Sequence, residues 1–171
     1  PPLTIGDEYF IYIDGYAGDL CDYFWQAQQG VAITPENDSC ENAIVMTCGD
    51  IDTSNNILAT GNDAPLSCGG LNTGAGVWYE FIGNGSSVTI STDHPITNFD
   101  TEIFIYEGPC SNLTCIGADN NSGNGTSSEF TFTSNAGISY LIYVDGNGSS
   151  IGEFGITFTC QSCDADAGIW D

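Results

Sequence analysis

Gly137-Ile138-Ser139-Tyr140-Leu141-Ile142-Tyr143-Val144-Asp145-Gly146 is a run of β-branched and aromatic residues closed by an Asp-Gly turn, and its pattern occurs twice. Gly6-Asp7-Glu8-Tyr9-Phe10-Ile11-Tyr12-Ile13-Asp14-Gly15 matches it in type and spacing, and the register continues, with Glu153-Phe154 falling opposite Asp22-Tyr23. Such runs, bounded by Gly, Asn, Asp, Ser and Pro, read as strands joined by turns. The same reading gives strands near residues 9–13, 22–28, 44–47, 77–82, 87–92, 102–106, 128–133, 139–144 and 153–159. No convincing amphipathic helix interrupts them; residues 38–45 have room for a turn or two at most. The expected fold is all-β, an antiparallel β-sandwich or jelly roll.

The repeat divides the chain. If residues 137–160 are the last hairpin of a sandwich that starts near Asn37, residues 1–34 resemble the last hairpin of a preceding copy. The expected organisation is then an N-terminal hairpin over 1–34, a sandwich over 35–160 and a tail or linker over 161–171. A lone hairpin is marginal in water, and Tyr9, Ile11, Ile13, Phe24 and Trp25 need a cover. That cover is either the same domain or the edge of the next subunit, to which the hairpin is donated as a strand pair. A donated hairpin makes a head-to-tail contact, and one that does not close generates a filament. The chain begins Pro1-Pro2, without Met or an apolar leader, and reads as a processed or excised piece of something larger.

Charge narrows the function. The 171 residues include 23 Asp or Glu, one His and neither Lys nor Arg, a formal charge of -23. Nucleic acid and anionic membrane surfaces both require basic residues and are excluded as partners. Phosphate clamps and lysine Schiff bases are excluded as well, and trypsin-like proteases have no site to cut. Packing many copies is self-repelling, so any assembly is expected to depend on salt or divalent cations. At 41% hydrophobic residues the chain nonetheless carries enough apolar surface for a real core.

Eight cysteines, at 21, 40, 48, 68, 110, 115, 160 and 163, point to disulfides and an oxidising, extracellular setting. Zinc is the weaker reading, because Cys160-Gln161-Ser162-Cys163 is the one CxxC spacing present. The short spacings predict local bridges Cys40 to Cys48 and Cys110 to Cys115. Six N-x-S/T sequons fit a surface protein rich in turns.

Five segments together resemble a known family: Asn37-Asp38-Ser39-Cys40-Glu41-Asn42-Ala43-Ile44, Gly76-Val77-Trp78-Tyr79-Glu80-Phe81, Val88-Thr89-Ile90-Ser91-Thr92, Asn98 to Gly108, and Tyr140 to Gly146. They resemble the cysteine-containing β-sandwich repeats, CUB-like or similar to pre-peptidase C-terminal domains, of very large Bacteroidota surface proteins. The resemblance covers residues 37–160, and the tail from Cys160 to Gly168 looks like a linker into a following module. It implies export by the type IX route, a cell-surface location, and roles in adhesion or surface structure. The chain departs from the pattern at Thr92-Asp93-His94 and at Asp119-Asn120-Asn121-Ser122-Gly123, where similar repeats carry a further cysteine.

By the same resemblance one end of the sandwich holds Ca2+, with Asp100, Asp119 and Asn121 as ligands and Asp145 more distant. A hard cation wants six to eight oxygens, and no Lys or Arg competes for these carboxylates; the alternative is that they are turn residues. Nothing surrounds His94 with a nucleophile, so no catalytic residue is named. Trp78 is expected in the core, with one of Trp78 and Tyr79 facing inward and the other outward. The expected function is a non-catalytic structural or adhesive module, either a repeat of a giant surface protein or the protomer of a filament. The alternative is a calcium-dependent carbohydrate-binding module attached to a secreted enzyme, with surface glycans as partners.

Overall fold

The computed structural model describes residues 34–71 and 73–161, all within the second of the chain's two units, Ala32–Asp171. Tyr9, Ile11, Ile13, Phe24 and Trp25 of the expected N-terminal hairpin, together with Cys21, Cys163, Trp170 and most of the tail, lie outside these residues.

A 3-10 turn over Cys40–Asn42 leads into nine strands: β1 Ile44–Met46, β2 Ile51–Asn55, β3 Val77–Ile82, β4 Ser87–Ser91, β5 Thr101–Glu107, β6 Thr114–Asn120, β7 Glu129–Thr133, β8 Ser139–Gly146 and β9 Glu153–Gln161. They form a β-sandwich of two sheets, one ordered β1-β3-β8-β5-β6 and the other β2-β9-β4-β7. Every pairing is antiparallel except β1 with β3. Seven of the nine strands coincide with alternating segments of the sequence. The other two, β2 and β6, read Ile-Asp-Thr-Ser-Asn and Thr-Cys-Ile-Gly-Ala-Asp-Asn and carry little alternation. Both are edge strands, so neighbours rather than apolar pattern recruit them.

Alternation sends Val77, Tyr79 and Phe81 of β3, Ile103 and Ile105 of β5, and Ile142 and Val144 of β8 into the space between the sheets. There they meet Val88, Ile90, Phe154, Ile156 and Phe158 from the facing sheet. Burying each such side chain contributes about 1.5–3 kcal/mol. A polar latch joins the sheets beside this core. The hydroxyls of buried Thr92 and Thr101 lie 2.6 Å apart, and the Ser128 N–H donates to both.

The opposite side chains of β3, β5 and β8 do not face solvent, as a two-layer sandwich would have them do. Trp78, Phe104, Tyr106, Leu141 and Tyr143 form a second cluster on the outer face of the five-stranded sheet, with Cys40 and Cys68. Trp78 and Tyr79 thus point to opposite sides as expected, and both are fully buried. The cover on the outer side is residues 57–74, a strap with no strand of its own. It is tied down by Tyr106 Oη–H donating to Leu66 O (2.6 Å), Tyr143 Oη–H to Gly74 O (2.7 Å) and Trp78 Nε1–H to Asp63 Oδ1 (3.3 Å).

Disulfides complete the cover, and their pattern corrects the expected one. The bridges are Cys40–Cys110, Cys48–Cys160 and Cys68–Cys115, spanning 70, 112 and 47 residues. Cys40 and Cys48 do not pair with each other because the extended strand β1 lies between them. Cys115 is committed by β6 to the strap's Cys68, leaving Cys110 to reach the turn at Cys40. Sequence proximity misleads here because strands, unlike turns, carry neighbouring cysteines apart. Cys68–Cys115 anchors the middle of the strap, and Cys40–Cys110 closes its far side.

Candidate metal centre

Register brings three polar side chains into one line. Glu102 of β5 pairs with Asn120 of β6 on one side and with Asp145 of β8 on the other. Directly opposed residues share a face of the sheet, here the outer face that also carries Phe104, Tyr106 and Tyr143. Glu102 and Asp145 are 4% and 0% exposed. Asp100, two residues before Glu102, continues the line beyond the end of the strand.

The end of the strap closes over this row. Gly74 N–H donates to Asp145 Oδ2. A Cβ at Gly74 would lie 3.5 Å from that oxygen, 3.7 Å from Gly148 O and 3.9 Å from Gly146 O. Those are ordinary contact distances, whereas at Gly76 a Cβ would strike Val144 O and the Asp145 side chain, so glycine is required there. On the far side Asn147 donates to Asp100 through its backbone N–H (3.0 Å, to the carbonyl) and its amide (3.2 Å, to Oδ2). Between them opens a recess of about 340 Å³ lined by Gly70, Thr73, Gly74, Glu102, Asn120 and Asn147, among others.

Three oxygens in this region are buried without a hydrogen-bond partner: Asp100 Oδ1, Asn120 Oδ1 and Asp145 Oδ1. An unpaired buried polar atom costs about 1–3 kcal/mol, and a charged one more. Acidic groups so placed resist ionisation. Burial pushes the Asp145 carboxyl up to about 8, opposed by the Gly74 N–H and reinforced by the charge of Glu102. Burial, then the charge of Asp100, raises Glu102 as well. With no Lys or Arg in the chain, nothing of its own can neutralise them.

The orphaned oxygens fit a hard divalent cation, which takes oxygen ligands from carboxylates, amides and carbonyls. The donors at hand are Asp100, Glu102, Asn120 and Asp145, with the Gly146 and Gly148 carbonyls alongside. Among the described residues, no three His, Cys, Asp or Glu side chains stand drawn together as a ready ligand set. A cation there would have to draw on amide and backbone oxygens as well as carboxylates.

Of the residues expected from sequence, Asp100 belongs to this row and the other two lie elsewhere. Asp119 pairs with Ile103, one position off the row. Its oxygens accept the N–H groups of Ser122 (3.0 Å) and Glu129 (2.9 Å) and the Ser122 hydroxyl (2.5 Å). Asn121 is an exposed turn residue with φ of 76°. Asp145, expected to be more distant, stands in the row opposite Glu102, and Glu102 and Asn120 were not named at all. Their signal was parity: a carboxylate or amide in step with Phe104, Tyr106 and Tyr143 shares the face those aromatics bury.

His94 sits in the turn after β4, where its Nδ1 accepts the Ile96 N–H (3.4 Å) and its ring covers Gly155. No family model and no curated protein sequence matches this chain. Among solved structures it is similar to the pre-peptidase C-terminal domain of a collagenase from Bacillus anthracis, at 14% identity and a TM-score of 0.46, over 68% of this chain and 94% of that one.

Proposed function

We propose that the chain is a non-catalytic module of a secreted surface protein, structural or adhesive in role, whose outer layer is locked by Ca2+ in the Asp100, Glu102, Asn120 and Asp145 row. One observation carries the reading: buried, unpaired carboxylate and amide oxygens beneath a disulfide-tied strap, in a chain without basic residues. Bound there, Ca2+ supplies the missing positive charge and ties three strands together beneath the strap. The residues' part is to present oxygens and exclude water. Three disulfides of long span support a life in an oxidising environment.

The carbohydrate alternative draws no support from the aromatic side chains. Among the described residues every Trp, Tyr and Phe is buried or partly buried, so none offers an open stacking platform. Calorimetric titration of the metal-free protein with Ca2+ tests the ion; the reading expects one binding event, lost in Asp145→Asn. Electron micrographs of native material test the architectural role. Fibres that vanish on deletion of residues 1–30 support assembly through the terminal hairpin, and EDTA-sensitive glycan-array binding by monodisperse particles supports the alternative.

A further inference from the structure

The strap covers only one half of the outer face of the five-stranded sheet. At the Gly146 end of β8 lie the strap's C-terminal end and the acidic row. At the Ser139 end, past the Cys40–Cys110 bridge, the face is open. It forms a groove of about 560 Å³ lined by Glu41, Glu80, Glu107, Ile138, Ser139 and Leu141, among others. Ile138 in its lining is 36% exposed, and beside the groove on the same sheet face Val45 and Ile82, paired with Glu80 and Ser139, are 59% and 48% exposed. Contiguous apolar surface of this kind marks an interaction site when polar groups rim it. The rim here is acidic, and one carboxylate is held in place: the Ser139 hydroxyl donates to Glu80 Oε1 at 2.6 Å.

We infer that this groove docks an extended segment of a partner protein in which Lys or Arg alternates with apolar residues. Charge decides the occupant. A second copy of this chain brings no Lys or Arg, so its approach sets carboxylate against carboxylate. A neutral apolar segment would bury the glutamates unpaired, at a cost that desolvated charges impose. A segment of alternating basic and apolar residues meets both requirements, its apolar side chains on Ile138 and the neighbouring Ile82 and its cations on the glutamates. The inference does not rest on the ion reading, because groove and acidic row lie at opposite ends of β5 and β8.

The test uses the full chain in EDTA and a short acetylated, amidated peptide alternating lysine and leucine, followed by fluorescence anisotropy. Salt is kept at about 0.15 M, where charges beyond about 8 Å are screened. Glu41→Gln with Glu80→Gln is expected to weaken binding about tenfold, as loss of two ion pairs of up to 1 kcal/mol each implies. Glu129→Gln with Glu153→Gln removes the same charge from the other sheet and is expected to leave affinity within about twofold. Ile138→Ser is expected to weaken binding severalfold. Equal losses in both double variants, or no effect of Ile138→Ser, overturn the inference, since the peptide is then attracted to net charge alone. Amide shift mapping on the unaltered protein serves if a variant fails to fold; shifts centred away from residues 80, 138 and 141 overturn it too.

Discussion

The two hydrophobic clusters lie on opposite sides of one sheet and are held by different means. The inner cluster is packed strand against strand, with Phe81 stacked on Phe158 (centroids 6.1 Å apart) and Tyr79 edge-on to Phe154, and Cys160 of the Cys48–Cys160 bridge packs against it. The outer cluster has a sheet below and an irregular strap above, and Trp78 meets Tyr143 at 4.7 Å beneath it. A strap makes few ladder hydrogen bonds, so covalent ties replace them, Cys68–Cys115 and Cys40–Cys110, and on the proposed reading a cation in the acidic row adds to them. The inner layer should therefore respond to packing changes, the outer one to redox state and cations.

The largest effect is expected inside. Phe158→Ala removes a fully buried ring from the inner cluster, which costs about 3–5 kcal/mol. Denaturant unfolding should show a stability loss of that order, or no folded protein. Exchanging Cys68 and Cys115 for Ala removes a 47-residue crosslink, at a cost of about 2–4 kcal/mol. Hydrogen exchange should show where that loss falls: amides of 57–74 open, while those of β4 and β9 stay protected. Equal opening of both layers would merge the two clusters into one cooperative unit.

Calcium comes next. At a hundredfold excess over its dissociation constant a native-state ligand adds about 2.7 kcal/mol, several degrees in melting temperature for a domain of this size. Scanning calorimetry should show that gain in the parent protein and its loss in Asp145→Asn. The Asn variant should also be more stable than the parent in EDTA, because an amide needs neither the proton nor the uncompensated charge that burial forces on the carboxyl.

Much of this was legible beforehand, and the limits have physical causes. Period-two alternation identifies strands wherever one face is apolar, so the seven strands that build the inner core stood out. The strap has no period because its contacts are made by loop backbone and scattered Ala64, Cys68 and Leu71 side chains. Disulfide partners depend on which strands become neighbours, and Cys48 with Cys160 meets only after 112 residues have folded. Asp100 was named through the family resemblance, at the start of a strand. Glu102 and Asn120 were hidden because they sit within strands, where a polar residue usually faces water. Only the strap, itself unreadable, makes their face an interior.

The last expected effect is the most specific to the acidic row. Asp145 is raised to about 8, chiefly by burial, and Glu102 is raised for the same reason. In the unfolded chain both ionise near 4. Between these values the folded protein binds more protons than the unfolded one, so stability must fall as pH rises from about 4 through 8. Urea unfolding in EDTA at acidic, neutral and mildly alkaline pH should trace that decline, and Asp145→Asn should flatten most of it. Saturating Ca2+ takes the place of the protons, so the stability it adds should grow with pH over the same interval. A decline of equal slope in the parent and the Asn variant would assign it to the general repulsion of a -23 chain and leave the outer layer no more dependent on charge than the inner.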